Sequence, residues 1–294
     1  MKVLPCLPLS LCRPCPLPAP PSSALLKATA LELMVLAGHV LLYPTGITGE
    51  RPTTPRPAGP HTTPPGATPT TSAGCSALPA EGDDRPPVVL LHGFIDNRSV
   101  FVLLRRSLAR HGWHHLESLN YSPLTCDIRT AAELLGRHVE EICARTGHRE
   151  VDIVGHSLGG LIARYYVQLL GGDQRVRTLV TLGTPHAGTA AAPLASAHPI
   201  VRQMRTGSAP IEELRRPAPG CRTRFVSFWS ELDRVIVPAE AARIDHPDLD
   251  ALNVRVTGIG HLALPVHPAV AAAVRQALES REPTIEATGT AGAA

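Results

Sequence analysis

The sequence lacks a long block of charge of either sign, although its 294 residues carry a formal net charge of +3. Basic and acidic residues are interspersed, so the chain has no electrostatic footprint for a nucleic acid or another polyanion. The seven cysteines fit neither the spacing of a zinc site nor that of a disulfide-dense scaffold. An oxidised pair among Cys126, Cys143 and Cys221 and a set of buried free thiols both stay open.

Disorder throughout the chain is excluded, because 44% of the residues are hydrophobic and can fill the core of one full-size domain. Proline and glycine are concentrated in particular stretches, and their distribution divides the chain. The predicted parts are a Pro-rich leader over 1–23, a hydrophobic helix over 24–43, a disordered Pro/Thr-rich linker over 44–86, a globular domain over 87–281 and a disordered tail over 282–294.

The apolar stretch over 24–43 is long enough to cross a bilayer, and basic residues lie on its N-terminal side. It predicts an uncleaved signal anchor, possible membrane association, and a domain that is exported, either anchored at the cell surface or secreted. The alternative is an amphipathic helix packed on the domain. Glu32 and His39 favour it, because their spacing places both on one helical face.

From residue 87 onward, short apolar runs alternate with helical patterns, which is typical of a mostly parallel, doubly wound α/β sheet. The predicted strands are 88–91, 114–119, 151–154, 178–182, 224–229 and 253–257. The predicted helices are 100–110, 130–146, 158–170 and 268–280. In such a sheet, ligand-binding and catalytic side chains lie at the carboxyl ends of the strands.

Residues 155–159, with the sequence GHSLG, match the motif G-x-S-x-G between a predicted strand and a predicted helix. This context indicates a nucleophile elbow, in which glycines allow a sharp turn that exposes a serine hydroxyl. Ser157 is therefore the candidate nucleophile. The N–H group of Leu158 and that of Phe94, in the loop after the first strand, are the expected donors to an oxyanion.

A serine hydroxyl needs a base, and the base needs a carboxylate that fixes its tautomer. Asp233 and His261 each follow the end of a predicted strand and are the candidates for these roles. Other histidines compete for the base role, namely His186, His246 and His267. Other carboxylates compete for the acid role, namely Glu231, Asp245, Asp248 and Asp250.

Five motifs in this order resemble those of bacterial triacylglycerol lipases and esterases of the α/β-hydrolase superfamily. They are HGF at 92–94, GHSLGG at 155–160, LGTPHAGT at 182–189, Asp233 with VIVP at 235–238, and GHL at 260–262. The resemblance implies an α/β-hydrolase fold, the triad Ser157, Asp233 and His261, and an oxyanion hole at Phe94 and Leu158. It also implies that His186 lines the substrate site without joining the proton relay.

The same resemblance implies an ester or lipid substrate and no cofactor, and no metal-ligand spacing is present. Residues 190–222 stand where relatives carry a lid. Only four Phe, four Tyr and two Trp occur in the chain, so short or medium acyl esters are as plausible as long-chain fat. A thioesterase or acyltransferase with the same triad stays an alternative, as does a binding protein on the same fold. The sequence gives no indication of oligomeric state.

Overall fold

A six-stranded, all-parallel sheet forms the centre of the molecule, with the spatial order β2-β1-β3-β4-β5-β6. The computed structural model describes residues 23–42, 44, 85–94, 96–121, 127–190 and 198–280. The strands are β1 (Val88–Leu91), β2 (Leu116–Leu119), β3 (Val151–His156), β4 (Val176–Leu182), β5 (Arg224–Ser230) and β6 (Asp250–Val256). Because all the strands are parallel, their carboxyl ends lie at one edge of the sheet.

Helices cover both faces of this sheet, as the alternating pattern predicts. They are α1 (Ser23–Leu42), α2 (Val102–Arg110), α3 (Ile128–Thr146), α4 (Leu158–Leu169), α5 (Pro199–Gln203), α6 (Ala209–Glu213) and α7 (Pro268–Glu279). The apolar side chains of α3, α4, α5 and α6 pack on one face of the sheet. Those of α2 and α7 pack on the other face, together with part of α1.

The central strands are mostly buried and rich in apolar residues, because helices cover both of their faces. β1 has the sequence VVLL, and each of its residues is buried. The edge strand β6 has no fully buried residue, and its side chains are half-buried or exposed. This contrast places the core at β1, β3, β4 and β5, which are the strands nearest the GHSLG motif.

The predicted α/β-hydrolase fold class is confirmed, and the differences concern the ends of elements and two short helices. β2 begins at Leu116 rather than at residue 114, and β6 begins at Asp250 rather than at residue 253. At the edge of a sheet, strand length depends on pairing with a single neighbour, and Asp250 pairs with Arg224 of β5. The periodicity of the sequence contains no information about that pairing. α5 and α6 lie in the segment for which only a lid was expected.

Several predicted features fall outside the described residues, namely almost all of the leader, the linker over 45–84, the tail, residues 191–197 of the lid segment and Cys126. Cys143 and Cys221 are free thiols in the described part of the chain. α1 contains an apolar window, Leu25–Leu42, that is long enough and apolar enough to cross a membrane, with a mean hydropathy of 1.7. Membrane anchoring through this helix stays a prediction.

Candidate active site

Ser157 occupies the sharp turn between β3 and α4, at the carboxyl edge of the sheet. Its backbone angles are φ 52° and ψ −118°, and among the described residues it is the only non-glycine residue with a positive φ. Its N–H group donates to the carbonyl of Leu182 over 2.9 Å, and its carbonyl accepts from Thr184 Oγ1 over 3.0 Å. Such a strained conformation costs about 1–3 kcal/mol and persists where surrounding contacts enforce it. The turn is therefore held from β4 as well as from its own strand.

The glycines around Ser157 are required by close approaches of the backbone. A Cβ on Gly155 would lie 2.5 Å from the Cα of Gly160, and a Cβ on Gly159 would lie 2.3 Å from the carbonyl oxygen of Leu91. Real Cβ atoms do not approach other atoms so closely, so larger residues would push α4 away from β1 and β3. The geometry is that of a nucleophile elbow.

Asp233 and His261 form a buried hydrogen bond in the loops after β5 and β6. The Nδ1 atom of His261 lies 2.7 Å from Oδ2 of Asp233. The other carboxylate oxygen, Oδ1, accepts from the N–H groups of Val235 and Ile236 over 2.8 and 2.9 Å. These two backbone donors fix the carboxylate, so that Oδ2 is directed at the imidazole ring and Nδ1 carries the proton.

The electrostatic surroundings of His261 favour its protonated form. Burial by itself lowers the pKa of His261, but the charge and hydrogen bond of Asp233 outweigh burial, and Glu32 and Asp96 add to this effect. The pKa of His261 is therefore raised above its usual value. A histidine with a raised pKa accepts a proton more readily, as a general base does when it activates a hydroxyl group.

Gly183 lies against the hydrogen bond between Asp233 and His261. Its φ is +55°, and a Cβ there would lie 3.0 Å from Nδ1 of His261 and 3.1 Å from Oδ2 of Asp233. We therefore expect Gly183→Ala to push the two side chains apart and to lower kcat by about a hundredfold, which is the cost of misplacing reacting groups by about 1 Å. Steady-state kinetics on a chromogenic ester measures this loss.

Gly258→Ala is the matched control for Gly183→Ala. Gly258 has a φ of +82°, but a Cβ there would have no neighbour within 4 Å. Both variants carry the backbone strain of a positive φ, and only Gly183→Ala obstructs the Asp233–His261 pair. Equal losses of kcat in the two variants would show that strain alone, and not the obstruction, causes the effect.

The loop after β1 lies directly beside Ser157. A Cβ on Gly93 would lie 3.4 Å from the Cβ of Ser157, and it would crowd Oδ2 of Asp96 at 2.9 Å and Nδ1 of His156 at 3.1 Å, so glycine is favoured at this position. The N–H group of Leu158 belongs to the first residue of α4, where helical N–H groups have no partner within the helix. The ring of Phe94 contacts that of His198, with centroids 5.2 Å apart. The oxyanion-hole roles of Phe94 and Leu158 stay predictions that this arrangement supports.

His186 lies inside the protein, behind the elbow. Its Nε2 atom is 3.0 Å from Thr181 Oγ1, and its carbonyl oxygen accepts from the guanidinium of the buried Arg164 over 3.4 Å. Burial, with the charge of Arg164, holds the pKa of His186 well below its usual value. These contacts favour a neutral, structural histidine, and its role in lining the substrate site stays a prediction.

A cluster of charged and imidazole groups surrounds His261, and sequence reasoning did not single it out as part of the site. Asp96 approaches His39 of α1 over 3.5 Å and His156 over 3.3 Å, and Nε2 of His156 lies 3.3 Å from the carbonyl oxygen of His261. Glu32 of α1 accepts hydrogen bonds from the residues just after His261. The shared helical face of Glu32 and His39 was the only sequence signal for it.

An apolar cavity of about 270 Å³ lies at the carboxyl ends of β1 and β2, between these strands and α3 and α4. Leu91, Leu119, Leu135 and Ile162 are among the side chains that line it. Tyr121, which also lines it, donates its hydroxyl to the carbonyl oxygen of His92 in the loop beside Ser157. Within the described ranges, no group of three or more His, Cys, Asp or Glu side chains could hold a metal ion.

Sequence comparisons find similarity to known hydrolases over part of the chain. The profile of the palmitoyl protein thioesterase family matches residues 87–217. A triacylglycerol lipase of Pseudarthrobacter phenanthrenivorans is 32% identical over 113 residues, which are 36% of this chain and 34% of the relative. A triacylglycerol lipase of Burkholderia plantarii is also 32% identical over 113 residues, 36% of this chain and 31% of the relative. The matched segment thus spans about a third of each curated relative.

Solved structures share the fold over more of the chain. Lipase B of Aspergillus fumigatus superposes with a TM-score of 0.64 and 16% identity, over 87% of this chain and 70% of that one. The mature lipase BlEst2 of Bacillus licheniformis gives a TM-score of 0.57 and 18% identity, over 68% and 96% of the two chains. The predicted resemblance is therefore confirmed: the chain has the α/β-hydrolase fold, and over part of its length it is similar to bacterial triacylglycerol lipases.

Proposed function

We propose that the chain is a serine carboxylic-ester hydrolase that acts through an acyl-enzyme on Ser157. The observation that carries this proposal is the Asp233–His261 hydrogen bond of 2.7 Å, held at the same edge of the sheet as the strained elbow at Ser157. A nucleophile on an elbow, a base and an oriented carboxylate together make up a catalytic triad. The names of the curated relatives, triacylglycerol lipases, support the same conclusion.

The proposed reaction has two halves. In the first, Ser157 Oγ attacks the acyl carbon while His261 Nε2 takes the hydroxyl proton, and the N–H groups of Phe94 and Leu158 donate to the oxyanion. Collapse of this intermediate breaks the bond to the alcohol, which leaves with the proton from His261. In the second half, His261 deprotonates a water molecule that attacks the acyl-enzyme, which releases the carboxylic acid and restores Ser157.

The apolar cavity between β1, β2, α3 and α4 favours an acyl ester or lipid as the substrate. Its lining is dominated by leucine and isoleucine side chains, and its volume of about 270 Å³ is close to the lower limit of small-molecule sites. Tyr121 connects the cavity to the loop beside Ser157. The residues that line the cavity do not include Ser157 or His261, and as the acyl site a cavity of this size would fit a short or medium chain better than a long one.

A thioester is the second candidate substrate, because the palmitoyl protein thioesterase profile matches residues 87–217, which include Ser157 and the loop at His92. Attack on a thioester forms the same acyl-enzyme, with a thiol in place of the alcohol as the leaving group. The two candidates therefore differ in the leaving group and not in the nucleophile.

The test is to measure hydrolysis of p-nitrophenyl esters from acetate to palmitate and of a palmitoyl thioester, with and without pretreatment by a serine-directed phosphonate. We expect turnover that the phosphonate abolishes, with kcat/KM highest at short or medium chain length. Preference for the thioester would establish the second candidate. No turnover of any substrate, with Ser157 unlabelled by the phosphonate, would contradict both.

We also propose that the domain is exported and keeps α1 attached. The length and mean hydropathy of Leu25–Leu42 support passage through a secretion pathway. The polar contacts that α1 makes with the loop after His261 support its retention on the folded domain. Fractionation of the native host, with detection of the N-terminal segment and the catalytic domain by separate antibodies, tests both parts.

A further inference from the structure

α1 contacts the domain through one stripe of residues and not through its apolar surface as a whole. Ala28, Leu31, Glu32, Val35 and His39 follow the helical repeat and are buried or half-buried, and Leu31 and Val35 pack against the core beside α2 and α7. Most of the largest apolar side chains of α1 are exposed instead. Two polar groups therefore face the domain, at the point where it carries His261.

Glu32 binds the backbone that follows the catalytic histidine. Its Oε2 atom accepts from the N–H group of Leu262 and its Oε1 atom accepts from that of Ala263, both over 2.9 Å. A Cβ on Gly260 would lie 2.7 Å from the Cδ atom of Glu32, so the residue before His261 leaves space for this carboxylate. The two hydrogen bonds are charge-assisted, which makes them shorter and stronger than bonds between neutral groups.

His39 provides a second connection, about two helical turns further along α1. Its Nδ1 atom lies 3.5 Å from Oδ1 of Asp96, whose other oxygen lies 3.3 Å from Nδ1 of His156. His156 in turn places Nε2 3.3 Å from the carbonyl oxygen of His261. α1 is thus connected to the His261 loop in two ways: Glu32 binds the two N–H groups that follow His261, and His39 acts through Asp96 and His156.

We infer that α1 is part of the catalytic centre, with Glu32 as the principal positioning residue of the His261 loop and His39 as a supporting one. The inference rests on the proposed triad function. Glu32 does not touch the reacting atoms. It holds the turn after His261 by two backbone hydrogen bonds, and its negative charge acts on the imidazole. The apolar N-terminal helix is then required for full activity, whatever else it does.

The charge of Glu32 should affect the pH dependence of activity, which a purely structural role of Glu32 would leave unchanged. The groups that face His261 are Asp233 after β5, Asp96 in the segment after β1, His156 at the end of β3, and Glu32 on α1. A carboxylate stabilises the imidazolium, so it raises the pKa of His261. The general base is active when neutral, and removal of the Glu32 charge should therefore move the acid limb of kcat/KM to lower pH.

The experiment compares Glu32→Gln and Glu32→Ala in the full chain with Glu240→Gln as the matched control. Glu240 is exposed, so this control removes a carboxylate that does not contact the His261 loop. We expect Glu32→Ala to lower kcat about ten- to a hundredfold through misplacement of His261. Glu32→Gln keeps one acceptor oxygen and should lose less activity, while its acid limb moves to lower pH. Glu240→Gln should match the wild type.

NMR titration of His261 measures the charge effect without a substrate, so the result does not depend on the proposed activity. Wild-type rates and an unmoved His261 titration in Glu32→Gln would overturn the inference while leaving the triad proposal intact. If both Glu32 variants have a lower melting temperature but an unchanged pH profile of kcat/KM, α1 has a structural role only. If Ser157→Ala keeps wild-type activity, the proposed function fails instead, and the NMR result still decides whether Glu32 acts on His261.

Discussion

Ser157→Ala is expected to remove ester hydrolysis, with kcat falling by about 10⁴-fold or more, because it deletes the hydroxyl group that forms the proposed acyl-enzyme. The fold should persist. The strained backbone at φ 52° is already present in the wild type, and the turn is held by the Leu182 carbonyl and the Thr184 hydroxyl rather than by the Ser157 side chain. Kinetics on p-nitrophenyl esters and circular dichroism of the purified variant measure the two parts.

Ser118→Ala is a suitable control, because Ser118 and Ser157 are equally buried, each 7% exposed. Its hydroxyl accepts a hydrogen bond from Arg105 over 2.9 Å on the edge strand β2. This variant should lose some stability and keep its activity. A folded Ser157→Ala protein that still hydrolyses esters and is still labelled by a phosphonate would move the nucleophile to another residue.

The elbow at Ser157 could be predicted because its determinants are local. A buried strand, a motif with glycines at fixed positions and the start of a helix follow one another within residues 151–169, and each has its own sequence signal. The proposed oxyanion role of Leu158 follows from the same logic, since its N–H group is placed by the start of α4. The sequence did not indicate that Thr184, in the loop after β4, would hold the turn through a hydrogen bond to the carbonyl oxygen of Ser157.

The choice of acid depended on tertiary structure that the sequence indicates only in part. Glu231 lies in the same loop as Asp233, but it is exposed and pairs with Arg255 at 2.5 Å. Asp248 accepts from the N–H group of Ala218. Only Asp233 is buried with one oxygen on backbone donors and the other on His261. These carboxylates differ in the direction of their side chains within the loops, and that direction cannot be deduced from their spacing along the chain.

The sequence left the packing of α1 on the domain open as an alternative, but it did not indicate that the His261 loop would be the contact. Glu32 and Leu262 are 230 positions apart, and no hydrophobic period or motif connects them. Composition alone favoured a membrane anchor, because a window of 18 residues with a mean hydropathy of 1.7 meets that criterion equally well. The polar residues on one face were the physical clue. A carboxylate within an apolar helix needs a partner, and here backbone N–H groups of the domain provide it.

Asp233→Asn is expected to lower kcat by roughly 10³- to 10⁴-fold, because the change disturbs the tautomer of His261. The carboxylate accepts from two backbone N–H groups on Oδ1 and from His261 on Oδ2. An asparagine has only one acceptor oxygen. If that oxygen stays on the backbone donors, the amide NH₂ faces Nδ1 and forces the imidazole proton onto Nε2, where it blocks uptake of the serine proton.

The opposite orientation of the asparagine is no better, because its NH₂ group would then face the N–H groups of Val235 and Ile236 and leave buried donors without acceptors. Asp245→Asn is the control, since Asp245 is exposed in the segment before β6. It should retain wild-type kcat. NMR of the His261 ring nitrogens would show the proton on Nδ1 in the wild type and on Nε2 in Asp233→Asn. Full activity in Asp233→Asn together with loss in Asp245→Asn would reassign the acid, and the hydrogen bond at His261 would then serve structure rather than catalysis.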